Sequence, residues 1–260
     1  MSTRRLIIGF AWMAPILALL LWPVSAWLSI GVLFISHMLL LYPTLRATSQ
    51  WFGPVVTEFE PQGQQAWLTI DDGPTDDTDQ ILAILSRAGA RATFFLIGQR
   101  ARQRPDLVRR IVEQGHSVGN HSDTHPSASF WCLPRNRIRE QIDRCSETLQ
   151  EITGKKPELF RTPVGMKNFF VHPLLDERHM PLVAWSARGF DGMLTNPEKV
   201  AARILPSVSP GTIIMMHQGR FRSDHTHASV EAIERVVVQL KGRGYDLVIP
   251  APNQFRAGRR

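Results

Sequence analysis

Cysteine is scarce in this chain of 260 residues: Cys132 and Cys145 are the only two. That excludes a disulfide framework, and both thiols are expected to be free. Acidic residues are also in deficit, 23 against 30 Lys and Arg, which leaves a formal net charge of +7. Such a balance favours anionic partners: nucleic acid, lipid headgroups or a phosphate-bearing substrate. The chain has no dense Lys/Arg run and no nucleic-acid module, so nucleic acid is not the expected partner. Internal repeats and low-complexity tracts are absent too, which excludes solenoids and disordered linkers as the main architecture. What remains is ordinary for a globular protein, 43% hydrophobic and 20% charged. The length allows one full-sized domain plus an appendage.

The apolar residues are unevenly spread. Residues 6–22 carry no charge, Pro23 interrupts, and residues 24–42 form a second uncharged run. Nineteen helical residues span about 28 Å, close to the roughly 30 Å hydrocarbon core of a bilayer. Three arrangements fit. The first is a transmembrane helical hairpin turning at Pro23 and Ser25, flanked by Arg4, Arg5 and Arg46. The positive-inside tendency then puts both ends in the cytoplasm. The second is a signal peptide cleaved near Val24-Ser25-Ala26, against which the following apolar run argues. The third is one span plus an interfacial helix, with the domain outside. The hairpin is the expected arrangement, in a bacterial-type inner membrane with the following domain on the cytoplasmic face; the extracytoplasmic face is the alternative.

The expected organisation is a membrane segment over residues 1–45, a linker over 46–64, a folded domain over 65–250 and a polar tail over 251–260. Within the domain, short apolar runs predict strands at 66–70, 92–97, 116–119, 159–161, 182–186, 212–216 and 245–248. Amphipathic stretches predict helices at 78–88, 105–114, 134–152, 173–178, 196–205 and 228–241. Such alternation implies parallel strands with helical crossovers. Ligands of parallel α/β folds bind at the carboxyl ends of strands. Asp71, Asp72, Arg161, Asp191 and His217 fall at such ends.

Each motif alone is ambiguous. Asp71-Asp72-Gly73-Pro74 is good turn chemistry, yet its second carboxylate can ligate a metal while the first stays free as a base. His121 and His125 stand four apart, on one face if the segment is a helical turn, and can share a metal or be a satisfied pair. A lone Arg161 is ordinarily surface, and a lone His217 ordinarily core.

Together they change the reading. The sequence resembles the polysaccharide deacetylase family, carbohydrate esterase family 4. Thr69 to Pro74 looks like its first motif, His121 to Pro126 its second, and Arg161 to Gly165 its third with Thr162 and Val164 substituted. Trp185 with Asp191 is similar to the fourth, and Met216-His217 to the fifth. The match runs in order over residues 66–220. The resemblance implies an α/β fold, a distorted (β/α) barrel with fewer than eight regular strands. It implies a divalent metal, zinc first and cobalt, nickel or manganese as substitutes, on Asp72, His121 and His125. Asp71 would be the general base, held and oriented by Arg161. His217 would be the general acid, polarised by Asp191, and the Val164 backbone N–H would stabilise the oxyanion.

Arg188 and Gly192 replace the usual Asp and Trp of the fourth motif, and a cation there suits a substrate with phosphate or carboxylate. Trp185, Arg188 and Pro163 are the expected substrate contacts. The expected activity is removal of an N-acyl group from an amino sugar in a lipid-linked glycan, glycolipid or polysaccharide. The alternative is a non-catalytic sugar-binding module that keeps the fold and the metal site.

Overall fold

A computed structural model describes residues 2–220 and 228–258. The chain opens with two helices, α1 (Thr3–Leu21) and α2 (Ala26–Leu45). The strands that follow are β1 (Val55–Phe59), β2 (Gln65–Gly73), β3 (Ala92–Leu96), β4 (Ser117–Asn120), β5 (Leu182–Val183), β6 (Ala187–Arg188), β7 (Ile213–His217), β8 (Asp246–Leu247) and β9 (Phe255–Ala257). The remaining helices are α3 (Thr78–Arg87), α4 (Gly98–Gln103), α5 (Pro105–Glu113), α6 (Arg135–Thr153), α7 (Val171–Asp176), α8 (Pro197–Ile204) and α9 (Ala228–Gly242).

β2 is the centre of the domain. It pairs in parallel with β3 on one side and β7 on the other, and β4 and β6 continue the sheet outward. Strands covered on both faces need continuous apolar runs, and β2 is buried from Ala66 through Gly73. α3, α8 and α9 press Leu82, Leu85, Val200, Ile204, Ile233 and Val237 against Leu68, Ile70 and Phe94. A second core gathers Trp67, Phe95, Phe130, Phe160 and Leu174 on the opposite side. A smaller sheet, in the order β5-β1-β9, lies against this second core.

Several elements differ from the expected ones. The stretch expected to be a linker contains β1, and the stretch expected to be a polar tail contains β9, which pairs antiparallel with it. Strands of five and three residues, joining the two ends of the domain, are too short for their periodicity to signal itself locally. The last two residues of that tail lie outside the described residues. The strand expected at 159–161 reduces to single bridges from Phe160 to Asn120 and Leu182.

α1 and α2 are each long and apolar enough to cross a membrane. They pack on each other through small residues: Ala14, Ala18, Ser29 and Ser36 are buried, and the Ser29 hydroxyl donates to the Ala18 carbonyl at 2.8 Å. Most of their large side chains face outward, Trp12 at 78% and Trp27 at 82% exposure among them. Their far ends are tied to the domain. Lys167 donates through Nζ to the carbonyls of Arg46 and Ala47, at 2.8 and 2.9 Å, and through its backbone N–H to that of Thr44. Arg4 reaches the Phe169 carbonyl at 3.4 Å. Burial pushes the Lys167 amine down to about 7.

Phe94 is fully buried in the first core. Phe94→Ala is expected to cost about 3–5 kcal/mol of domain stability, measured by denaturant unfolding of the detergent-solubilised chain. A loss below about 1 kcal/mol would contradict the packing described.

Candidate active site

The ends of β2, β4 and β7 converge. Parallel register sets Asp71 directly beside His217 on β7 and beside Phe95 on β3. Asp72 follows with φ of 70°. Gly73 comes next because a side chain there has no room: a Cβ would lie 1.8 Å from the Gln218 Nε2.

His121 leaves β4, and its Nδ1 sits 2.9 Å from the Arg161 carbonyl, leaving Nε2 to face the cavity. His125 does not reach the site by helical spacing, as one expectation had it. The segment from His121 to Pro126 is not helical, and Ser122 and His125 have φ of 66° and 51°. Left-handed backbone at two non-glycine residues is what swings the second imidazole round. The Ser122 hydroxyl accepts from the His125 backbone N–H at 3.2 Å and holds that bend.

Asp72 Oδ1 lies 3.5 Å from His121 Nε2 and 3.3 Å from His125 Nε2. Ligand atoms about 2.0–2.1 Å from a tetrahedral ion stand about 3.3 Å from one another. The three donor atoms lie within 4.8 Å of each other, and Asp72 Oδ1 is buried with no hydrogen-bond partner. Donor type, spacing and an orphaned carboxylate oxygen all fit a divalent cation. Burial alone would raise the Asp72 carboxyl. The nearby imidazoles of His121, His125 and His217 outweigh it and hold the group well below the usual carboxylate range. Burial and the neighbouring His121 push His125 down to about 4, so its neutral ring is available as a ligand near neutral pH.

Asp71 is not part of that donor set. Arg161, 1% exposed, donates to Asp71 Oδ1 at 2.7 Å and to the Thr69 hydroxyl at 2.7 Å. Its Nε and Nη2 donate to the Val183 and Ala184 carbonyls, and its guanidinium lies 4.1 Å from the Phe95 ring centroid. On the other side, Asp191 accepts from the His217 backbone N–H at 2.6 Å and sits 3.0 Å from its Nδ1. Burial disfavours a charged His217, but the carboxylates of Asp191, Asp71 and Asp72 prevail and push it up to about 9.

Asp71, Asp72, His121, His125 and His217 line a cavity of about 220 Å³ together with Thr162, Val164, Trp185, Arg188, Phe190 and Met193, while Arg161 and Asp191 stand behind its wall. Val164 has φ of 49° at the middle of a short 3₁₀ turn, and Phe190 has φ of 59°. Pro163, expected beside the substrate, is buried and outside the lining; it starts that turn and packs inward. Trp185 and Arg188 do line the cavity. Two arginines escaped the sequence reading. Arg220 donates to Asp72 Oδ2 at 2.7 Å, and Arg100 donates to the Asp72 carbonyl. Only the position of Arg220, three residues past His217, could have suggested it.

Comparison with known proteins agrees with this geometry. A family model described as polysaccharide deacetylase matches residues 60–180. A peptidoglycan-N-acetylglucosamine deacetylase of Bacillus cereus is 31% identical over 193 residues, covering 74% of this chain and 68% of that protein. A chitooligosaccharide deacetylase of Sinorhizobium fredii is 33% identical over 187 residues, covering 69% of this chain and 86% of that protein. Two further curated relatives are longer, and the chain spans 50% and 37% of their lengths. Among solved structures, a CE4 family pseudoenzyme from Bacillus anthracis aligns with a TM-score of 0.66 at 27% identity, over 74% of this chain and 66% of that one.

Two outcomes are expected. His121→Ala removes one of three donors, so bound divalent metal falls from about one per chain to near zero by elemental analysis; retention at the wild-type level would contradict the site. A group with a raised pKa holds its proton below that pKa, so a reaction needing protonated His217 fades as pH rises through about 9. Asp191→Asn removes the main opposing charge and should move the alkaline limb of the pH–rate profile down by about one unit or more. An unmoved limb would refute the pairing.

Proposed function

The chain belongs to the polysaccharide deacetylase family of metal-dependent carbohydrate hydrolases, and from that premise we propose that it removes an N-acyl group, acetyl first, from an amino sugar. The observation that carries the proposal is the division of labour between adjacent carboxylates. Asp72 joins two imidazoles, while Asp71 is held through Oδ1 by Arg161 and faces the same cavity, its Oδ2 4.0 Å from His121 Nε2. A module that only bound sugar would need neither the free carboxylate nor the Asp191–His217 pair. The alignment with a pseudoenzyme shows that this fold alone does not carry the activity, so the argument rests on the residues.

When bound on Asp72, His121 and His125, a divalent ion, zinc by donor type, acidifies water and polarises the acyl carbonyl. The chain's own groups do the rest. Asp71 takes a proton from the water that attacks the acyl carbon. The Val164 N–H offers a donor to the oxygen that gathers negative charge. As the carbon–nitrogen bond breaks, His217 gives its proton to the nitrogen, because an amine leaves poorly unless protonated. The carboxylic acid and the free amino sugar are the products.

Single bridges from Phe160 to β4 and β5, and from β1 to Thr212 before β7, support reading the two sheets as one distorted (β/α) barrel. The outward-facing apolar surface of α1 and α2 supports a transmembrane hairpin. Arg4, Arg5 and Arg46 at its ends favour a cytoplasmic domain under the positive-inside tendency. A topology reporter fused after Arg260 should therefore report the cytoplasm; an exported signal would reverse the orientation.

Asp71→Asn is expected to lower acetate release from an N-acetylglucosamine substrate about 10²–10⁴-fold while bound metal stays at the wild-type level. Equal rates in the two proteins would sink the catalytic assignment.

A further inference from the structure

The catalytic cavity is not bounded by solvent alone. Val164, Trp185 and Arg188 line it and also line a neighbouring groove of about 770 Å³. The other wall of that groove is the end of α2: Met38, Leu41, Tyr42 and Leu45, followed by Arg46. These side chains face outward, Leu41 at 37% and Leu45 at 50% exposure. A passage therefore runs from the last turns of an apolar helix to the Asp72, His121 and His125 cluster, and its walls change character in order.

The helix wall is apolar. Next come two cations. Arg46 lies over the Tyr42 ring at 5.8 Å, and Arg188 lies over Trp185 and Phe190 at 5.6 and 4.2 Å. Neither guanidinium has a carboxylate partner among the described residues. Beyond them stand Trp185, Phe190 and the metal-ligating cluster. This order matches an amphiphile that carries a hydrocarbon chain, then an anionic link, then an N-acylated sugar.

Position agrees with charge. A helix of 20 residues is about 30 Å long, so a spanning α2 ends at headgroup depth. Arg46 would then lie where lipid phosphates lie. The groove also has a fixed shape, because Lys167 binds the Arg46 and Ala47 carbonyls.

We infer that the groove between α2 and the cavity seats a membrane-anchored substrate, with its chain along Leu41 and Leu45, a phosphate or diphosphate at Arg46 and Arg188, and its N-acylated sugar in the cavity. This rests on the deacetylase and membrane-hairpin readings above. A soluble polymer would have no use for the apolar wall that α2 gives this groove.

The test uses the full chain, loaded with zinc, in phosphatidylcholine vesicles. Three probes are compared by acetate release: N-acetylglucosamine 1-diphosphate bearing a long hydrocarbon chain, the same diphosphate bearing a methyl group, and a neutral N-acetylglucosamine glycoside with the long chain. The long-chain diphosphate is expected to lead in kcat/KM. Leu41→Asp should cut the ratio of long-chain to methyl diphosphate about tenfold, the effect of roughly two buried methylenes. Arg46→Gln should cut the ratio of long-chain diphosphate to neutral glycoside by a similar factor. Each ratio comes from one preparation, so the folded fraction cancels. Partitioning into vesicles alone would raise long-chain rates equally in wild type and variant, and unchanged ratios in both variants would overturn the groove. No acetate from any probe with the wild type would instead overturn the deacetylase reading, and the groove's substrate with it.

Discussion

The buried pair of Arg161 and Asp71 is the constraint on which the site depends. A guanidinium taken out of water must have its charge and its donors met, or it costs several kcal/mol. Arg161 is met from three directions: the Asp71 carboxylate, the Thr69 hydroxyl on the same strand, and the carbonyls of Val183 and Ala184. Its own carbonyl is the partner of His121 Nδ1. One residue thus orients a free carboxylate with its side chain and a metal-directed imidazole with its backbone. Displacing it would disturb both at once, because neither neighbour has a second anchor of the same kind.

Around that pair the backbone is bent in ways the domain must sustain. Asp72, Ser122, His125, Val164 and Phe190 all carry positive φ without being glycine, and four of them line the cavity. Such conformations persist only where surrounding structure enforces them. Here the enforcing structure is the strand ends of β2, β4 and β7 and the two cores behind them. Strain concentrated on one rim is the expected partner of a rigid interior, since the strands fix the roots of loops whose tips must converge.

Much of this was legible in order along the chain. Asp71, Asp72, Arg161, Asp191 and His217 were each read at the end of an apolar run, and parallel strands bring such ends together. The two membrane-length helices were legible from hydropathy. Other features were not. The i, i+4 spacing of His121 and His125 suggested a helix, but left-handed residues do that work, and no propensity announces them. Pro163 belongs to the same motif as Val164, yet it is buried at the start of the turn while Val164 is half exposed. Arg100 reaches Asp72 from α4 and Arg220 from the segment after β7, both far along the chain from the motif that carries Asp72. β1 and β9 are a pairing between distant segments, which only the folded chain reveals.

The anchoring of Lys167 to the carbonyls of Arg46 and Ala47 makes the helix pair a bracket and not a leash. A leash lets its cargo sweep a hemisphere and sample whatever floats past. A bracket sets altitude and tilt. For a chain seated in a bilayer, the reaction is then confined to a thin layer above the lipid surface, and distance from that surface becomes a filter that acts before any sugar is recognised.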